Sequence, residues 1–139
     1  MTAIDFLRQY EVEKNKADRL LAEYNKEREL IDAVKSPLGS DGEPRGSGTS
    51  RRTEDAAIRL SDKLYEYEVA RLDAIEKRQI VFNAIVDIPG IEGDVLLERY
   101  INLKSWPEVI KAVHCSRRAV FYYHRRGLKK IKVCTTLHF

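Results

Sequence analysis

The chain has 139 residues, of which 43% are hydrophobic and 34% are charged, and its formal net charge is +3. This balance is typical of a folded, helix-rich protein and excludes a wholly disordered chain. No apolar run approaches the roughly 18 residues that a membrane span needs, and the first residues lack a signal-peptide pattern, so we expect a cytoplasmic protein without a membrane partner. Two cysteines are too few for a disulfide framework and agree with a reducing compartment.

The first predicted element is one long helix over residues 4–35. Its apolar residues recur at alternating three- and four-residue steps, and neither Gly nor Pro interrupts it. The stripe consists of Leu7, Tyr10, Ala17, Leu21, Tyr24 and Ile31, widened by Leu20 and Val34. One face of this helix is therefore expected to be covered by another helix.

The stretch SPLGSDGEPRGSGTS, residues 36–50, ends this helix, because it holds four Gly and two Pro. We predict a flexible linker over residues 36–52, since about fifteen residues without a core are long for a connection in a compact domain. A second long helix is expected to begin at Thr53 as N-cap and to stop at the breaker Asp87-Ile88-Pro89-Gly90. Its seam comprises Ala57, Leu60, Leu64, Tyr67, Ala74, Val81 and Ile85, with Ile58, Tyr65, Leu72, Ile75 and Phe82 beside it.

Two long helices of similar length joined by a loop predict an antiparallel hairpin over about residues 4–87. An intermolecular coiled coil through the same apolar stripes, which would form a homodimer, is the alternative, and the sequence leaves both open. The predicted fold is all-α, with a helical hairpin domain at residues 1–90 and a helix-turn-helix domain at residues 91–139.

Basic charge is concentrated at the C-terminal end of the chain. Residues 93–139 carry ten basic and three acidic side chains, a net charge of +7, whereas residues 53–92 carry five and nine, a net charge of −4. Residues 1–35 and 36–52 are close to neutral, with net charges of −1 and +1. This asymmetry is expected if the C-terminal part meets a polyanion and the rest does not.

Three short helical segments are predicted in this basic part, at Asp94–Tyr100, Ser105–Val113 and Ser116 to about Lys132. Ser105 and Glu108 have the spacing of a capping box, and Pro107 falls in the first turn, where its missing N–H costs nothing. Only His114 and Cys115 separate the last two segments, which is the spacing of a helix-turn-helix corner. Ser116 is suited to cap the third segment.

The third segment is predicted to have a packed face and a basic face. Three- and four-residue spacing places on the packed face Val120, Tyr123, Gly127, Leu128 and Ile131. The opposite face displays the predicted DNA-binding residues Arg117, Arg118, Phe121, Tyr122, Arg125, Arg126 and Lys129. Residues 116–132 hold seven basic residues and no acidic one, so this helix suits the major groove of double-stranded DNA, where arginine binds guanine or phosphate. The two exposed aromatics are expected to touch thymine methyls or sugars.

The run LLERYINLKSWPEVIKAVHCSRRAVFYYHRRGLKKIK resembles the DNA-binding fourth region of primary sigma factors and the sigma-like helix-turn-helix of phage regulators. The resemblance covers about a third of the chain, although Gly127 replaces the usual Ala. It implies that base or phosphate contacts fall at Arg117, Arg118, Tyr122 and Arg125. The long first helix and the GSDGEPRGSGTS segment also resemble small phage proteins, the late-transcription regulators of the ArpU and RinA-like type. The resemblance implies a phage or prophage regulator in a bacterial host cell, with RNA polymerase as a partner of the long helices.

Other classes of function are less well supported by the sequence. No Gly-rich phosphate loop or paired carboxylates stand out and the three histidines all lie in the basic part, so we predict no enzyme, no catalytic residue and no cofactor. His114, Cys115, Cys134 and His138 match no compact zinc motif, so no metal site is predicted. One rival is a small terminase-like packaging subunit, in which by resemblance the DNA-binding module usually comes first. The other rival is a helical interaction protein that does not bind DNA.

Overall fold

The computed structural model describes residues 1–35 and 47–131, and every regular element within them is helical, which confirms the predicted all-α class. The helices are α1 Ala3–Leu7, α2 Gln9–Lys35, α3 Ser47–Ile85, α4 Gly90–Leu96, α5 Trp106–Val113 and α6 Arg117–Lys130. A π-helical turn, Leu97–Ile101, continues α4. In the described part of the chain, no helix combines the length and apolar character of a membrane span.

The N-terminal segment differs from the predicted single helix, because it is divided at Arg8 into α1 and α2. A capping box starts α1: the Thr2 hydroxyl accepts a hydrogen bond from the Asp5 backbone N–H, and the Asp5 carboxylate accepts one from the Thr2 N–H, both at 3.2 Å. The Thr2 side chain and, after it, the Thr2 backbone N–H favour the charged form of the Asp5 carboxylate and so lower its pKa. The capping box of Thr2 and Asp5 is therefore a local signal that fixes where α1 begins.

The predicted N-cap at Thr53 is wrong, because α3 already begins at Ser47. Extending an existing helix gains one hydrogen bond for each residue that is ordered, so weak helix formers can be included once a long helix has formed. The helix ends at Ile85, just before the predicted breaker, and Gly90 has a φ of +74°, which favours glycine. Residues 36–46 of the predicted linker lie outside the described residues.

The chain consists of two compact units. Of the described residues, unit 1 contains 1–14 and 73–131, and unit 2 contains 15–35 and 47–72. These bounds differ from the predicted domains at 1–90 and 91–139, because packing joins the first residues and the end of α3 to the C-terminal helices. Packing alone does not decide which part binds a partner, so the functional boundary stays a prediction.

Unit 1 has two apolar core clusters. The larger cluster brings together α1, the end of α3, α4, the π-helical turn and the residue that follows α6. Its buried members are Leu7, Val81, Ile85, Leu96, Tyr100, Ile101 and Ile131. The smaller cluster consists of Val95, Val109 and Val120, all 0% exposed, which join α4, α5 and α6. Trp106 and Tyr123 cover this smaller cluster, so the last three helices are held together by apolar contact.

Unit 2 contains the larger parts of α2 and α3 and has a sparser interior. Among its described residues only the small side chains of Ala17 and Ala70 are buried. An ion pair links the two helices, with Arg59 Nε lying 3.6 Å from Glu27 Oε1. The antiparallel hairpin and the alternative intermolecular coiled coil both stay predictions.

Candidate nucleic-acid interface

The junction between α5 and α6 is a sharp corner of three residues. His114 ends α5 in the left-handed conformation, with φ 56° and ψ 38°, and the Cys115 thiol donates to the Val113 carbonyl at 3.4 Å. Ser116 caps α6, since its hydroxyl accepts a hydrogen bond from the Ala119 N–H at 3.2 Å, as predicted. The corner therefore turns the chain directly from one helix into the next.

The start of α5 agrees with the sequence prediction only in part. Ser105 is the N-cap and Pro107 lies in the first turn, both as expected. The predicted capping box with Glu108 is wrong, because the Ser105 side chain makes no capping hydrogen bond. The first predicted segment is also longer than expected, since α4 begins at Gly90 and continues through the π-helical turn to Ile101.

The packed face of α6 is the predicted one, with one addition. Val120, Gly127 and Ile131 are buried, and Tyr123 and Leu128 are half-buried. Gly127 allows close contact with α4, because a Cβ at this position would lie 2.9 Å from Leu96 Cδ1 and 3.4 Å from the Glu92 carbonyl oxygen. Gly127 therefore sets how closely the two helices can approach.

The addition is His124, which sequence reasoning did not assign to the packed face. Its Nε2 shares a hydrogen bond of 2.8 Å with the buried Tyr100 hydroxyl, and its ring lies edge-on to Trp106 with 4.8 Å between ring centroids. Burial lowers the pKa of His124, and the nearby Arg99 charge acts in the same direction. Burial also raises the pKa of Tyr100, so both partners are held in their neutral forms. The spacing from Val120 and Gly127 was the signal that could have placed His124 on this face.

Four predicted DNA-binding residues, Arg117, Arg118, Arg125 and Lys129, lie exposed on the outer face of α6. Arg117 lies over the Phe121 ring, with 5.5 Å from its Cζ to the ring centroid. Within the described part of the chain, Arg118, Arg125 and Lys129 form no ion pair. The structure therefore leaves these charges available to an anion in solution.

Arg126 belongs to the same predicted set but is held by neighbouring side chains. Its Nε donates to Glu92 Oε1 at 3.0 Å, and its Nη1 donates to the Tyr122 hydroxyl at 2.7 Å. Lys130 pairs with the other oxygen of Glu92, and the hydrogen bond from Lys130 together with both positive charges lowers the pKa of this carboxylate. The hydrogen bond to Tyr122, and then the Glu92 charge, raise the pKa of Arg126. We call Glu92, Arg126 and Lys130 the Glu92 clamp.

The two predicted aromatic contacts differ from each other in the structure. Tyr122 is 45% exposed, whereas Phe121 is half-buried against Trp106, with 4.8 Å between ring centroids. Arg99 lies over the Trp106 ring, with 5.0 Å from its Cζ to the ring centroid. The same guanidinium donates a hydrogen bond to the Lys104 carbonyl at 2.8 Å. Phe121 therefore supports the fold at the start of α6, while Tyr122 remains open to a partner.

The described residues contain no group of three or more side chains that could hold a metal ion. Cys115 is a half-buried free thiol beside the corner. Cys134 and His138, the more distant of the potential ligands in the sequence, lie outside the described residues.

Comparison of the chain with protein-family models, with curated proteins and with solved structures gives no match. Evidence on function therefore comes from the residues and their geometry.

Proposed function

We propose that the protein is a sequence-specific, double-stranded DNA-binding transcription regulator, in which α5 and α6 form a helix-turn-helix and α6 is the recognition helix. One observation carries this proposal: Arg117, Arg118, Arg125 and Lys129 lie exposed on one face of α6. No acidic residue lies between positions 116 and 131 to compete for them. A uniformly basic helix face is the electrostatic footprint of a nucleic-acid binding element.

The arrangement of these side chains suits a groove of DNA. Arg118 and Lys129 are eleven positions apart, which corresponds to about 16 Å along a helix. Arg118, Arg125 and Lys129 fall on one narrow strip of α6 at a helical repeat of 3.6 residues. An arginine in the major groove can donate two hydrogen bonds to guanine, and the other cations can bind phosphates on either side. In this proposal Tyr122, on the same strip, contacts a sugar or a thymine methyl.

The buried side of α6 supports this role by keeping the helix position fixed. Neutral His124 and the close contact at Gly127 seat α6 on α4, and the Glu92 clamp fastens its C-terminal half. Base recognition requires side chains that are held in place by a rigid scaffold. The partner-binding role is assigned to the long helices, whose candidate partners are RNA polymerase or a second copy of the chain, and the phage or prophage origin rests on the family resemblance alone.

The test replaces Arg117, Arg118 and Arg125 by Ala together and measures binding to DNA fragments by fluorescence anisotropy over a range of salt concentrations. We expect binding to weaken by at least about a hundredfold at low salt. The slope of the logarithm of the binding constant against the logarithm of the salt concentration should become shallower by about 0.9 for each phosphate that the variant no longer neutralises. The matched control replaces Arg19, Lys26 and Arg28, three exposed cations of α2, by Ala. It removes the same charge from a different helix and should retain most of the affinity.

Two results would contradict the proposal. The first is absence of binding by the parent protein at low salt, and the second is an equal decrease of binding in the α6 and α2 variants, which would indicate only net charge. Footprinting on the DNA that neighbours the protein's own gene then tests sequence specificity. Protection of a discrete site is expected, and uniform protection would reduce the function to non-specific binding.

A further inference from the structure

An apolar row runs along α3 on the side that faces away from the interior of unit 2. Ile58, Tyr65, Val69 and Leu72 are 60%, 72%, 42% and 58% exposed. Their spacing of seven, four and three residues places them on one strip of the helix. The buried Ala70 and the half-buried Tyr67 lie on the opposite side of the same helix, so the row is a second apolar face.

Such a row is unusual in a helix that has no further partner. Scattered exposed apolar residues are normal on protein surfaces, but a contiguous apolar strip typically marks a site of interaction. The row spans fourteen positions, which is about 21 Å of helix. This length corresponds to about four turns of a partner helix packed alongside.

Between positions 54 and 72 of α3, the exposed charged residues that form no ion pair are all acidic. The exposed acidic residues that flank it on α3 are Glu54, Asp55, Asp62 and Glu66. Of the basic residues between positions 54 and 72, Arg59 pairs with Glu27, Arg71 pairs with Glu68, and Lys63 is half-buried. The exposed Arg51 and Arg52 precede this stretch. The exposed face of α3 therefore presents an apolar row with an acidic border along one side, formed by Asp55, Asp62 and Glu66.

We propose that this face of α3 docks a basic amphipathic helix of a partner protein, one with an apolar row between lysines or arginines. Apolar rows would interdigitate, and basic residues of the partner would meet the acidic border. A second copy of the same face in an antiparallel arrangement fits less well, because it would place one acidic border against the other. This docking face is separate from the proposed DNA-binding face, since it lies on a different helix and carries the opposite charge.

The probe is a synthetic helical peptide of about eighteen residues, enough to match the row, with leucines at three- and four-residue steps and lysines beside them. A second peptide has the same leucines with glutamates beside them. We expect the full chain to bind the basic peptide at least about tenfold more tightly than the acidic one, measured by fluorescence anisotropy. Tyr65→Glu with Leu72→Glu should weaken that binding by about tenfold or more.

A charge-exchange variant makes the test specific to this face. Asp62→Lys with Glu66→Lys should reverse the preference, so that the acidic peptide binds more tightly than the basic one. Circular dichroism checks that both variants keep the helical content of the parent, as substitutions of exposed residues should allow. Binding of the DNA fragments used above is measured in parallel and should not weaken in the Tyr65 and Leu72 variant.

Three outcomes would overturn the proposal. One is failure of the parent chain to bind the basic peptide. Another is an unchanged peptide preference after charge exchange, which would indicate contact elsewhere. The third is a dimer in sedimentation velocity that dissociates on Tyr65→Glu with Leu72→Glu, which would show that a second copy covers the face.

Discussion

The two compact units of the chain differ in what fills their interiors. Among the described residues, eleven of the thirteen buried hydrophobic residues belong to unit 1, and the remaining two, Ala17 and Ala70, belong to unit 2. Unit 1 also contains a buried hydrogen bond between Tyr100 and His124 and two glycines at close contacts. Both units have large apolar side chains on their surfaces, such as Ile75 and Ile91 in unit 1 and Tyr65 and Leu30 in unit 2. Among the described residues of unit 2, however, no large apolar side chain is buried.

This difference in packing agrees with the different roles proposed for the two units. A densely packed unit with specific buried contacts holds its surface side chains in fixed positions, which is what base recognition requires. A unit with a sparse interior and apolar surface residues gains more from covering them with a partner. In the proposals above, unit 1 presents cations to DNA and unit 2 presents an apolar face to protein.

The largest expected effect comes from creating a cavity in unit 1. Leu96 is 0% exposed and lies between α4 and α6, so Leu96→Ala should lower the free energy of unfolding by about 3 kcal/mol. The control is Leu30→Ala in unit 2, where the side chain is 57% exposed and the decrease should stay below about 0.5 kcal/mol. Urea unfolding followed by circular dichroism measures both. Similar decreases in the two variants would remove the contrast between the units.

A second test compares two glycines of unit 1. A Cβ on Gly93 would lie 2.0 Å from the Ile88 carbonyl oxygen, so the backbone would have to shift. Gly93→Ala should therefore lower the free energy of unfolding by about 2 to 3 kcal/mol. At Gly127 the nearest atom is the end of the flexible Leu96 side chain, so Gly127→Ala should change stability by no more than about 1 kcal/mol, because helix propensity offsets the contact. The fluorescence of Trp106, the single tryptophan, follows unfolding of unit 1. An equal decrease in the free energy of unfolding for Gly93→Ala and Gly127→Ala would show that α4 can shift to relieve the contact with Ile88.

A third test uses the depressed pKa of His124. Because its folded-state pKa lies below the unfolded value near 6.5, the folded state binds fewer protons, and the stability of unit 1 should fall as the pH drops below about 6.5. His124→Gln should reduce this pH dependence between about pH 7 and 5, whereas His114→Gln at the exposed corner should retain it. Urea unfolding midpoints at several pH values, followed by Trp106 fluorescence, measure this pH dependence for the parent and both variants. A slope unchanged by His124→Gln would assign the dependence to other groups.

The smallest effect is expected from the Glu92 clamp, and it concerns the proposed DNA-binding function. Glu92→Gln removes the charge that holds Arg126 and Lys130, so both cations become available, and affinity for DNA at low salt should rise by about threefold. The control is Glu108→Gln on the exposed side of α5, which makes the same charge change without touching the clamp. Fluorescence anisotropy measures both. An equal rise in the two variants would indicate net charge, and a fall after Glu92→Gln would indicate that the clamp positions Arg126 for binding.

Much of this architecture could be predicted because its signals are local. Spacing and backbone chemistry within a few residues predict the end of α3 before Pro89, the N-cap positions of Ser105 and Ser116, and the packed face around Val120. They did not predict that the Ser105 side chain makes no capping hydrogen bond. The basic outer face of α6 follows from the same periodicity. These features depend on interactions between near neighbours in the chain, which a single sequence displays directly.

The sequence by itself thus determined the helical class, most helix ends and which face of α6 is basic. Tertiary structure alone decided which of those charges remain open, because Glu92 lies thirty-four positions from Arg126 and pairs with it only when α4 packs on α6. It also decided that α1 belongs to unit 1 and that the hydrogen-bond partner of His124 is Tyr100. Each of these results depends on contacts between residues that are distant in the sequence. A local pattern shows that a side chain is buried or charged, but it does not identify the distant residue that contacts it.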